Sequence, residues 1–152
     1  GNVDEALSYI SEALAYTDLE TETAADYNYE AAAFCVKNGR NPQAITFAEK
    51  AKELSSSYAG KVYFLIGTIW GATSCGGDEI SRRAPYWVAV DYMERAKAAD
   101  ASLAEDCNRM ISQYRVYYPQ TAEAFMYNLT DGQSYTVSCG GMRATTTVRT
   151  QK

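Results

Sequence analysis

Apolar and small residues recur three and four positions apart along most of the chain, the spacing that gathers side chains on one face of a helix. Three stretches repeat one template without a gap: Ala6-Leu-Ser-Tyr-Ile10-Ser-Glu-Ala13, Ala44-Ile-Thr-Phe-Ala48-Glu-Lys-Ala51 and Ala89-Val-Asp-Tyr-Met93-Glu-Arg-Ala96. Each alternates small with apolar positions, so a neighbouring helix can approach closely over the alanines. They predict helices over residues 3–16, 42–55 and 84–98. A second set is predicted over 22–37, 60–73 and 103–117, of which Val62 to Trp70 is the clearest, with Gly67 expected to admit close helix contact. The last of these has Leu103, Cys107, Met110, Ile111, Tyr114 and Tyr118 on its apolar face and begins with a capping-box pattern, Ser102-Leu-Ala-Glu105.

The punctuation agrees with this alternation. Asn38-Gly39-Arg40-Asn41-Pro42 reads as a turn whose Pro suits the first turn of the next helix. After Tyr117-Tyr118-Pro119 the helical period stops, save for a short predicted helix within Thr121 to Leu129. Asp131-Gly132 marks a turn, and alternating, β-branched residues flank Gly140-Gly141, which predicts a hairpin over about 133–150. A lone hairpin is marginal in water, so residues 119–152 are expected to dock as a cap on the apolar end of the helices.

The three aligned stretches, the second and third each paired with a preceding helix, resemble the tetratricopeptide repeat family. Tyr63, Ile66, Gly67 and Trp70 stand at its four key first-helix positions, and Asn28, Ala31, Ala32 and Cys35 are a weaker version in which Tyr27 supplies bulk. Asp18, Ser56 and Ala101 stand where the family has Pro. The spacings from Ala6 to Ala44 and from Ala44 to Ala89 are 38 and 45, against a family unit of about 34. The excess is assigned to a linker at Thr17 to Glu22 and an insertion at Ser74 to Arg83. The resemblance covers residues 3 to 118 and implies an all-α fold: an antiparallel helix-pair superhelical array of about three repeats over 1–118, closed by a short C-terminal β-hairpin. The competing architecture is a non-repeat helical bundle with Ala-rich faces. The tail, with Ser-Tyr-Thr-Val, Gly-Gly and Thr-Thr-Val-Arg near its end, is similar to the endings of envelope-associated repeat proteins, which implies a periplasmic or cell-envelope location.

Charge narrows the partners. The 14 basic and 19 acidic residues give a net charge of -5, which removes the electrostatic term that dominates nucleic-acid binding. The first thirty residues hold eight of the acids and no Lys or Arg, a solvated face or a surface that steers a basic partner. No apolar run approaches the ~20 residues of a membrane span. Beginning at Gly1 rather than Met, the chain reads as trimmed, so a missing signal peptide says nothing of targeting.

The chemistry is sparse. There is no His, which removes the commonest general base and zinc ligand, and the acids show no clustering into a shared site. The expectation is a chain that is not an enzyme and carries no metal or cofactor. Cys35, Cys75, Cys107 and Cys139 form no Cys-x-x-Cys motif. Cys35 and Cys107 fall on apolar helix faces. Cys75 and Cys139 each sit in Ser-Cys-Gly-Gly, and they are a candidate disulfide tying the insertion to the tail, the alternative being two unpaired loop thiols.

By the resemblance, ligand-facing positions on a concave groove map to Asp26, Tyr29, Ala33 and Lys37, to Lys61, Phe64 and Thr68, and approximately to Asn108 and Arg115. Tyr29 and Ala33 stand where a carboxylate clamp would need Lys and Asn, so that specialised mode is not expected. Tyr63, Tyr92 and Tyr114 are assigned to helix packing. The functional expectation is a non-catalytic scaffold that binds a peptide or protein segment in the groove. Two alternatives stand beside it: a structural, oligomer-forming domain of a larger exported envelope protein, including a homodimer through the unpaired first helix, and an enzyme with an unfamiliar carboxylate site.

Overall fold

The computed structural model describes residues 2–15 and 20–152. Seven α-helices lie among them: α1 (Asn2–Leu14), α2 (Thr21–Lys37), α3 (Asn41–Leu54), α4 (Ala59–Gly71), α5 (Glu79–Ala99), α6 (Ala104–Arg115) and α7 (Thr121–Met126). Two strands, β1 (Ser134–Cys139) and β2 (Met142–Thr147), form an antiparallel hairpin in which Ser134 pairs with Thr147 and Cys139 with Met142. The predicted helix end at Tyr16, Asp18, and the linker from Thr17 to Leu19 lie outside the described residues.

The helices pack in sequence. α2 lies against α3, α4 against α5 and α5 against α6, and α3 meets α4 through a smaller contact. Alanine explains how closely they lie: Ala44, Ala48 and Ala51 on α3, and Ala84, Ala89 and Ala96 on α5, are all fully buried. Glycine does the same for α4. A Cβ on Gly67 would lie 3.3 Å from the Ala89 carbonyl of α5. One on Gly60 would lie 2.6 Å from Asp100 Cβ, and one on Gly71 only 2.5 Å from Tyr114 Cε1 and Oη. Because Gly60 opens α4 beside the start of α6, and Gly71 ends it beside the end of α6, these two helices run side by side in the same sense.

A period of 45 residues is visible in the local chemistry. Ser55 and Asp100 each precede a single 3-10 turn, Ser56–Tyr58 and Ala101–Leu103, from which α4 and α6 start. Lys52 donates to the Tyr63 hydroxyl at 3.5 Å, and Lys97, 45 positions on, donates to Asn108 Oδ1 at 2.9 Å. The capping box expected at Ser102 and Glu105 is not used. Asp100 instead accepts from the Ser102 backbone at 3.0 Å and its hydroxyl at 2.6 Å, which turns the chain one residue group earlier.

The helix predicted over 84–98 begins sooner, at Glu79. Asp78 caps it by accepting from Ser81 N at 2.8 Å, and Glu79 pairs with Arg82 at 2.6 Å and Arg83 at 2.7 Å. These first-turn interactions outweigh the one backbone bond that Pro85 forfeits inside the helix. Half of the predicted insertion is therefore helical. Tyr27, expected to fill the core, is 46% exposed instead, because it faces the shallow gap between α1 and α2 rather than α3.

The tail is built into the core. Val137, Met142 and Val148 are buried with Trp70, Trp87 and Ile111. The Trp87 indole N–H donates to the Arg149 carbonyl at 2.9 Å, and the Arg149 guanidinium returns a bond to the Trp87 carbonyl at 3.1 Å and pairs with Asp91. Tyr135 meets the Trp87 ring edge-on at 5.4 Å. Gln151 then uses its side-chain amide as a cap for α6, donating to the carbonyls of Arg115, Val116 and Tyr118 at 2.9–3.0 Å.

Gly71→Ala tests the α4 and α6 contact. Overpacking against Tyr114 should outweigh the ~1 kcal/mol gained from helix propensity, for a net loss of about 1–2 kcal/mol in urea unfolding. Combined with Tyr114→Ala, the two losses should be less than additive. A stabilised or fully additive pair would mean that the two helices do not touch there.

Candidate functional site

The candidate surface is the outer face of α2 and α4. On α4 the buried positions Val62, Ile66, Gly67 and Trp70 point inward, which leaves Lys61, Phe64 and Thr68 on the opposite side. On α2 the buried Ala25, Asn28, Ala32 and Cys35 likewise leave Asp26, Tyr29, Ala33 and Lys37 outward.

Tyr58 joins the two helices. Its hydroxyl donates to the Asp26 carboxylate, its ring lies 5.3 Å from that of Tyr29, and the Lys61 ammonium lies 5.5 Å from its centroid. The carboxylate that accepts its proton, and then burial, push the Tyr58 phenol up to about 12. Burial raises Tyr29 as well. Phe64 is half-buried beside them, and Thr68 spends its hydroxyl on the Leu65 carbonyl of its own helix at 2.7 Å. Ala33 and Lys37 are exposed at the far end of α2. The arrangement offers a partly covered aromatic floor with one anion and one cation beside it.

Asn108 and Arg115 do not join this face. Asn108 is occupied by Lys97 on α5, and Arg115 lines a cleft of about 590 Å³ between α5, α6 and the tail. That cleft also holds Asp91, Glu94 and Tyr118, whose buried hydroxyl lies by the Arg149 guanidinium. The 45-residue period explains the offset. Asn108 is the counterpart of Tyr63, and the counterparts of Lys61, Phe64 and Thr68 are Asp106, Arg109 and Gln113. All three are exposed, and Asp106 pairs with Arg109 at 2.8 Å. Tyr58 was missed because it lies in the 3-10 turn before α4, outside any helix-face pattern. Its signal was a lone aromatic directly after Ser55-Ser56-Ser57.

The cysteines divide into two kinds. Cys75, beyond the end of α4, is joined to Cys139 at the end of β1, with Cα atoms 5.7 Å apart and a separation of 64 positions in sequence. Closing a loop of that length stabilises the fold by about 4 kcal/mol in the chain-entropy account. Cys35 and Cys107 are free and buried, and burial raises both thiols above their ordinary value, which lowers the thiolate population a nucleophile needs. Among the described residues no group of three Cys, Asp or Glu converges to hold a metal ion, and no helix is long and apolar enough to cross a membrane.

Comparison with known proteins gives no match to a family model, to a curated protein or to a solved structure.

The Tyr58 and Asp26 contact has a pH signature. A phenol whose folded value is raised adds stability that is complete below its ordinary value of 10.0 and is lost as pH climbs towards about 12. Asp26→Asn should move one tyrosinate transition, read by near-ultraviolet absorbance, downward from about 12 towards the ordinary value. An unchanged alkaline titration would show that Asp26 does not hold Tyr58.

Proposed function

We propose that this chain is a tetratricopeptide-like scaffold that binds a peptide or protein segment on the outer face of α2 and α4. The observation that carries this reading is the continuous row Asp26, Tyr29, Tyr58, Lys61 and Phe64. Asp26 and Lys61 are exposed and the three rings between them partly so, on helices whose opposite faces are locked by small-residue packing. Such a row presents rigid aromatic area with polar tips, the composition that binding surfaces favour. Helix pairs stacked so that first helices lie side by side in one sense are also what a tetratricopeptide-like superhelix requires. The buried, raised thiols and the absence of His leave little for catalysis to use.

A second reading, a structural domain within a larger assembly, is favoured by α1. That helix buries none of its side chains fully and leaves Tyr9 72% exposed. Export fits either reading, since a disulfide such as Cys75–Cys139 persists in an oxidising compartment.

Selection of a random peptide display library against the intact chain tests the scaffold reading. Selected peptides should lose tenfold or more in affinity for Lys61→Glu combined with Phe64→Asp, and bind Met126→Glu unchanged. Failure to select any peptide, or equal binding to both variants, would overturn it.

A further inference from the structure

Beside the rings of the α2 and α4 face, charge of one sign prevails. Glu22 lies four residues before Asp26 on α2 and Glu30 four residues after it, and all three are exposed. No ion pair joins any of the three to another described residue. The Asp26 carboxylate accepts from the neutral Tyr58 hydroxyl and so keeps its charge, and the charges of Glu22 and Glu30 reach the same phenol. Lys61 is the cation beside them, and it is itself offset by Asp100, whose carboxyl it helps to hold low. Lys37 stands at the far end of α2, about two turns beyond Glu30. Around Tyr58 the count is therefore four acids, Glu22, Asp26, Glu30 and Asp100, to one base.

We infer that the segment bound on this face is basic: an extended stretch that sets Arg or Lys at every second position against Glu22, Asp26 and Glu30. Charge complementarity selects it, since an acidic segment would be repelled by the row and a neutral one would gain nothing from it. The spacing agrees. Four residues of helix rise about 6 Å, and alternate side chains of an extended chain lie about 6.7 Å apart, so successive cations can meet successive carboxylates. The side chains between them point the other way, towards α4, where Phe64 offers apolar contact and Lys61 turns away a further base. Arginine fits the row best, because its fork pairs with a carboxylate while its plane lies against a tyrosine ring. The chain holds its own precedent for a cation on this floor, the Lys61 ammonium 5.5 Å from the Tyr58 centroid. The inference rests on the reading of this face as a peptide site and adds the charge and spacing of its partner.

Peptides selected on the intact chain from a random dodecapeptide display library, then synthesised, test it by fluorescence anisotropy. They should be enriched in Arg and Lys at alternate positions, and their affinity should fall as salt screens the row. Glu22→Gln with Glu30→Gln removes two charges at exposed positions without changing shape, and circular dichroism verifies that the helices are kept. That variant should bind the selected peptides about threefold to tenfold more weakly, whereas Glu105→Gln, an exposed acid on α6, should bind them unchanged. Selected peptides that are weakened by Lys61→Glu with Phe64→Asp, yet are not basic or bind the two-glutamine variant as well as the unaltered chain, would overturn this inference and leave the peptide reading standing. Basic peptides weakened equally by Glu105→Gln would do the same, because they would report overall charge alone. Failure to select any peptide, or peptides indifferent to the Lys61 and Phe64 changes, would overturn both.

Discussion

Trp87 sits where the helical array and its C-terminal segment become one core. Its indole and its backbone carbonyl exchange hydrogen bonds with Arg149, and Arg149 in turn pairs with Asp91 one turn along α5. A partly buried guanidinium without these partners would be costly, and a buried indole N–H without an acceptor likewise, so the two groups satisfy each other. Once they are joined, α5 is covered by α4, by α6 and by the hairpin. Val148 is then held beneath the tail, and Gln151 is placed to cap α6. The disulfide acts on the same segment from its other side, tying β1 to the loop that follows α4.

Much of the helical frame was legible in the sequence because it rests on periodicity, which the chain displays openly. The buried faces of α3 and α5 follow the aligned alanines, and Leu103, Cys107, Met110, Ile111, Tyr114 and Tyr118 lie inward or partly inward as their spacing predicts. What was not legible depends on local competition. The start of α5 was set by Asp78 and Glu79 against Pro85, and the turn before α6 by Asp100 rather than Ser102. The face of α6 was misplaced for a related reason: aligning its apolar residues to α4 leaves the register ambiguous by one position, and only the Lys52–Tyr63 and Lys97–Asn108 contacts fix it. A one-residue offset rotates a helix by about 100°, enough to move Asn108 from groove to flank.

The surface divides by purpose along the same lines. The middle of the array exposes a polar and aromatic row framed by Asp26, Tyr58 and Lys61, with its large apolar groups at least half covered. The ends expose large apolar groups outright.

The central claim is that the tail and the helices are one cooperative unit. Native-state hydrogen exchange tests it most directly, by comparing the Trp87 indole and the amides of Val148 and Gln151 with core amides of α5. The account predicts that all of them open with the same free energy and the same dependence on denaturant, that of global unfolding. A Val148 amide and Trp87 indole that exchange through a lower-energy opening, while α5 keeps its protection, would contradict it.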